Sequence, residues 1–258
     1  MNKKNAVRRV LAVAGLLIAA GMGAAHAEES ASVSRFYVVE VAPAHDQAFR
    51  DGMKAWLKCM HEHSAAHALW AWSAETGDLG RYVFESDTGT WAGIDAMDPA
   101  DKACGGDFTT GVLPHISKAH SWVAEGRPKM SHMDAGTSGM PAFVYVLDVK
   151  VKAGHDASFT EAVEKYAAAA TKSKWEGQWF ADAVIGGGRG SADYILVWPN
   201  RSWAEIGQQP NPSIKAMMEK VYGKAQAAAI RKQFFDAIDH QWDGIWSYNK
   251  ELSYIPAK

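Results

Sequence analysis

The chain has 258 residues, 48% hydrophobic and 22% charged, with 27 Lys and Arg against 29 Asp and Glu and a formal charge of −2. That balance provides no general positive field, so nucleic acid and anionic membrane surfaces are not expected partners.

The chain opens with Lys3, Lys4, Arg8 and Arg9, then an uncharged, mostly apolar run from Val10 to Ala25 that ends in Ala25-His26-Ala27. A basic start, a short apolar core and a small-x-small ending describe a cleaved export peptide, here residues 1–27. The run falls short of the ~20 residues that cross hydrocarbon, so no membrane span is expected. Arg8-Arg9 hints at the twin-arginine route, but its surroundings favour ordinary secretion. The expected mature protein is periplasmic or secreted, with 23 basic against 29 acidic residues.

An alternating strand follows in "RFYVVEVA" (Arg35–Ala42), then "VAPAHDQAF" (Val41–Phe49), and the pair recurs 110 residues on as "FVYVLDVKV" (Phe143–Val151) and "VKAGHDASF" (Val151–Phe159). Phe49, Met53, Trp56 and Met60 match Phe159, Val163, Tyr166 and Ala170, steps of four, three and four that make one face of a helix. Asp46 and Asp156 stand where each helix needs an N-cap. Downstream, "RYVFES" pairs with "DYILVW" as β-rich runs, and Trp91-Ala92-Gly93-Ile94 with Trp203-Ala204-Glu205-Ile206. A second helix follows in each copy, from Asp98-Pro99 in the first and, longer, from about Ser213 to Asp239 in the second. Tryptophan-led strands close the copies near Ser121–Ala124 and Ile245–Tyr248. Each half therefore reads β-α-β-β-α-β.

The expected fold class is α+β: two tandem ferredoxin-like repeats, 34–131 and 142–256 joined by a linker at 132–141, packed sheet to sheet as an intramolecular α/β barrel. On the quoted strand, turn, capped helix and Trp-containing short helix, the chain resembles the dimeric α/β-barrel superfamily, nearest to its antibiotic-biosynthesis-monooxygenase-type and NIPSNAP-type domains. The resemblance implies a pocket between helices and sheet in each half. It leaves the chemistry open, since that superfamily spans cofactor-free monooxygenases, haem proteins and members without known activity.

Positions present in both copies are read as serving the fold: His45 and His155 at the turns, Trp91 and Trp203 in the core. Asymmetric positions are the functional candidates. His61, His63 and His67 lie together, and helical spacing would put His63 and His67 on one face, a geometry that can hold a metal. The alternative is a solvated helix end carrying histidine near the dipole's negative pole. No HExxH occurs, because Ala65 stands four after His61. Cys59 and Cys104, the only cysteines, are expected to pair in an exported protein; a reactive thiol pair or a metal site with the nearby histidines are the competing readings. Met130, His132, Met133 and Met140 could suit copper, but their Gly, Ser, Asp and Pro neighbours also describe a plain linker. "IGGGRG" (Ile185–Gly190) lies between strands and reads as a hairpin turn rather than a phosphate loop. A haem would need an axial ligand in the second half, where only His155 and His240 are on offer.

The leading reading is an exported protein that binds a small apolar or aromatic molecule, with no cofactor. A cofactor-independent monooxygenase-type oxidoreductase and a structural protein with filled pockets are the alternatives. The first-half pocket should be the more polar and the preferred one, near Trp70, Trp72, Trp91 and His67. The second, with Trp175, Trp179 and the long second helix, should be more apolar, filled by the extra helical turns.

Overall fold

A computed structural model describes residues 31–96, 98–133, 139–208 and 210–256. The expected export peptide, residues 1–27, lies outside them. The first half runs β1 (Val33–Val41), α1 (Asp46–Glu62), β2 (Leu69–Ala74), β3 (Arg81–Asp87), α2 (Trp91–Asp95), α3 (Pro99–Gly111) and β4 (Ile116–Gly126). The second runs β5 (Phe143–Val151), α4 (Asp156–Ser173), β6 (Phe180–Ile185), β7 (Tyr194–Asn200), α5 (Trp203–Ile206), α6 (Ile214–Tyr222), α7 (Lys224–Ala237) and β8 (Ile238–Tyr248). The order β-α-β-β-α-β expected from the echo appears in both halves. The long second helix is two, broken at Gly223, whose φ of 79° suits a residue without Cβ.

All eight strands close into one antiparallel barrel in the order β1-β3-β2-β8-β5-β7-β6-β4. The halves do more than face each other: β2 hydrogen-bonds β8 and β4 hydrogen-bonds β6, so no sheet edge is left open. Alternation along each strand sorts its side chains. On β1, Val39 joins Phe49 and Met53 of α1 in an outer core, while Val38 and Phe36 line the lumen.

The repeat is interlocked at its ends. After β4, the 3₁₀ turn Pro128–Met130 sends Met130 into the core of the second half, and His132 bridges Trp179. After β8, the matching turn Lys250–Leu252 sends Leu252 into the core of the first half, and Tyr254 bridges Leu69. Each trailing segment thus completes the opposite half. Burying such a side chain is worth about 1.5–3 kcal/mol.

Asp46 and Asp156 are not the caps the turn pattern predicts. The cap positions are His45 and His155, without side-chain caps, and the carboxylates instead accept hydrogen bonds from the hydroxyls of Tyr82 and Tyr194. The duplicated aspartate ties each helix to its sheet. Trp91 and Trp203 are not core either: about half of each is exposed, because each opens a short helix on the rim.

Candidate functional site

The helices α1 and α3 lie antiparallel over the sheet of the first half and are pinned together at two points. At one, Gly52 meets Gly111 so closely that a Cβ on Gly52 would stand 1.9 Å from the Gly111 carbonyl oxygen. At the other, Cys59 and Cys104 form the expected disulfide, with Cα atoms 5.8 Å apart. Two helical turns separate the pins on each helix. Below them, between helices and sheet, opens a cavity of about 820 Å³. Val39 and Phe84 form its floor, Phe49, Met53 and Trp56 one wall, and Phe108 and Gly105 the other. A Cβ on Gly105 would meet nothing within 4 Å.

Polar groups gather toward the rim. Arg35 and Ser86 are paired across β1 and β3, and Tyr37 and Ser121 across β1 and β4. His67 reaches the cavity from the loop before β2, a loop held by the Asp98 carboxylate, which accepts from Ala66 N at 2.6 Å and from Ala100 N at 2.9 Å. Asp98 caps α3 and carries the loop in one stroke. Beside it, Asp101 has its pKa raised by burial and by the Asp98 charge, with His67 opposing. Tyr37 is likewise raised by burial, with Arg35 opposing from over its ring at 5.0 Å.

The equivalent space in the second half is filled. Where the first half has Ser86 paired with Arg35, the second has Trp198 paired with Tyr145. The sites of Leu57 and Met60 hold Ala167 and Ala170, which lets Met217 and Met218 of α6 pack in, fully buried beside Phe159 and Ile230. One serine in place of a tryptophan, and a single helix in place of two, keep the first space open.

The sequence-predicted residues divide. His67 lines the cavity; Trp70, Trp72 and Trp91 do not. The strand period of two explains the tryptophans of β2: Leu69 and Ala71 face the helices, so Trp72 enters the lumen and Trp70 shares its parity. The His63–His67 metal pair does not form on one helical face, because α1 stops at Glu62 and Ser64 turns left-handed at φ 52°. His63 sits instead by the disulfide, its Nδ1 3.8 Å from Cys59 Sγ, and sulfurs already bonded to each other are not thiolate ligands. The copper set does not converge: Met130 is core and Met133 and Met140 are exposed. His132 is buried, donating from Nε2 to the Trp175 carbonyl at 3.0 Å with Nδ1 3.2 Å from Thr171 Oγ1.

Sequence reasoning missed the barrel lumen, a void of about 100 Å³ lined by Trp72, Trp122, Trp246 and four charged residues, Arg81, Glu85, Asp148 and Asp182. Burial, then the Asp182 charge, pushes Glu85 up to about 8, with a Ser34 hydrogen bond opposing. Burial pushes Asp148 and Asp182 each up to about 6, with Arg81 and Arg127 respectively opposing. Among the described residues Arg81 Nε and Trp122 Nε1 have no hydrogen-bond partner, and the space of about 100 Å³ is large enough to admit water to them. Part of the signal was there to find: Asp148 follows Val144 and Val146, and Asp182 lies between Phe180 and Val184, at the same strand parity.

No family model and no curated protein matches the sequence. Among solved structures, a Lactobacillus acidophilus protein described as a candidate monooxygenase superposes with TM-score 0.53 at 10% identity, over 84% of this chain and 94% of that one. A mutant chlorite dismutase from Candidatus Nitrospira defluvii gives 0.55 at 9% identity, over 86% and 93%. An anthrone oxidase-like protein gives 0.53 at 10%, over 86% and 92%. The chain shares their α+β barrel fold. At such identities the likeness carries the fold and nothing of the chemistry. A haem between helices and sheet of the second half does not fit the residues present, since Phe159, Met217, Met218 and Ile230 fill that space and His155 and His240 are exposed.

Proposed function

We propose that the protein binds a small, largely apolar or aromatic molecule in the cavity of its first half. The observation that carries this is the asymmetry between two halves of one plan: the same space is occupied by Met217, Met218 and Ile230 beside Phe159 in one and open to about 820 Å³ in the other. Ligand cavities start at roughly 300 Å³, and this one is well above that. The aromatic walls suit a flat body, and Arg35, Ser86, Ser121 and His67 offer a few polar contacts to orient it. We propose also that the protein works outside the cytoplasm, which the pattern of residues 1–27 and the Cys59–Cys104 disulfide support.

The test installs the second half's own solution in the first. The Ser86→Trp variant should fold, gain thermal stability or hold it, and lose whatever organic molecule native mass spectrometry finds on the unmodified protein purified from its own envelope. A ligand retained unchanged by Ser86→Trp would move the site elsewhere.

A second reading, oxidation of an electron-rich aromatic by dioxygen without a cofactor, draws on one observation: His67 faces the apolar cavity beside Asp101, where an imidazole could take a proton from a phenol. It predicts oxygen consumption with a phenolic ligand that His67→Gln abolishes while leaving ligand affinity within about threefold.

A further inference from the structure

We propose that His45 and His115 form a surface site for a divalent first-row metal ion, copper(II) tighter than zinc(II). This site is independent of the cavity and of any function assigned to it. His45 ends the 3₁₀ turn Pro43–His45 before α1, and His115 ends the 3₁₀ turn Leu113–His115 before β4. Their Nδ1 atoms face each other at 3.4 Å, with ring centroids 5.6 Å apart and planes tilted by 37°.

That distance is poor for the alternatives. At 3.4 Å an N–H···N hydrogen bond between two neutral rings is at the long limit of that interaction, two bare lone pairs repel, and two imidazolium rings repel more. It is near the spacing a shared ion needs: nitrogens about 2.0–2.1 Å from one tetrahedral metal lie roughly 3.3–3.4 Å apart, and a tetragonal copper(II) would draw two cis nitrogens in to roughly 2.8 Å, a small ring rotation for the exposed His45. Each turn's backbone is fixed by a hydrogen bond, His45 N to the Ala42 carbonyl at 2.8 Å and His115 N to the Val112 carbonyl at 3.1 Å, so only ring rotation remains to close the pair on an ion. His45 is exposed and His115 half-buried, so solvent reaches the pair. Imidazole donors suit copper, nickel and zinc, and the general order of divalent affinities puts copper(II) first. Among the described residues no third His, Cys, Asp or Glu atom joins these two, so water would complete the coordination. The positive pole of α1 opposes a cation here, and Asp46 in its first turn offsets that pole.

The repeat provides the control. His155 occupies the place of His45 in the second half, but the residue before β8, where His115 would be, is Ala237. Copper(II) and zinc(II) are titrated calorimetrically into the chelator-treated full chain at neutral pH. The expected result is one equivalent of copper(II) at micromolar affinity, with zinc(II) weaker. His45→Ala and His115→Ala should each weaken copper binding at least tenfold, while His155→Ala leaves it unchanged. Circular dichroism confirms the fold of each variant, and the nitrogen splitting of the copper electron-spin resonance should fall from two imidazoles to one in either single variant. Copper affinity and spectrum unchanged in His115→Ala, or lost equally in His155→Ala, would overturn the site.

Discussion

Burial in the barrel lumen raises the pKa of Glu85 to about 8, and the sign of the consequence is fixed. A carboxyl whose folded-state pKa is raised binds protons more tightly folded than unfolded, so its stabilising contribution is complete below the ordinary carboxylate range and is lost as pH rises. For Asp148 and Asp182 the loss runs through about 6, and for Glu85 through about 8. The melting temperature should therefore fall between pH 5 and pH 9. Glu85→Gln, which imitates the protonated form, should match the parent at pH 5 and exceed it by a few degrees at pH 9, as read by scanning calorimetry. Parallel curves for the two proteins across that range would remove Glu85 from the account. The same residue shows what a sequence hides. Glu85 shares its strand parity with Arg81, Val83 and Asp87, which does not mark that face as buried; closing the barrel does, by setting Asp148, Asp182 and Trp246 of the other half around it.

At the level of elements, α1 and α3 behave as one clamped unit. The disulfide closes a sequence separation of 45 residues, worth about 4 kcal/mol on the chain-entropy model. Cys104→Ala should cost most of that in urea unfolding, since it opens the loop the Cys59–Cys104 bond closes; a loss below about 1 kcal/mol would show that the Gly52–Gly111 contact suffices alone. Gly52→Ala attacks the other pin and should cost about 1–3 kcal/mol by forcing the helices apart, against a gain of a few tenths to about 1 kcal/mol if the site tolerated a methyl. Much of this level was legible. The steps of four, three and four in α1 and the Asp98-Pro99 start of α3 follow from spacing and chemistry that act locally, and the Cys59–Cys104 pairing from there being two cysteines in a chain read as exported. The orientation of Trp70 and Trp72 was not legible without the strand's parity. The end of α1 was missed because "HEHSAAH" contains nothing that forbids another turn; the chain leaves the helix where Asp98 takes Ala66 N.

For the whole molecule, the exchange of Met130 and Leu252 between halves argues against two independent domains. Heat should unfold residues 31–256 in a single calorimetric transition, and Leu252→Ala should lower it by about 2–5 kcal/mol although Leu252 follows the second half's last strand. Two resolved transitions, with only one moved by the substitution, would mean that the seams β2–β8 and β4–β6 are weaker than their pairing implies. The echo at 110 residues made the doubling plain; which segment completes which half was invisible, because no repeat states its own partner. That exchange also sets an order of assembly. Trp179 finds His132 within one half's length of chain, whereas the Tyr254 hydroxyl that reaches the Ala65 carbonyl spans 189 residues. Tyr254 lines the cavity. A ribosome delivers the first half long before Tyr254 exists, so the cavity's own half is made early and sealed late. Until the second half has been synthesised and folded back against it, the chain has the floor, both helical walls and the disulfide partners of a binding site, with the edge that Tyr254 covers still open.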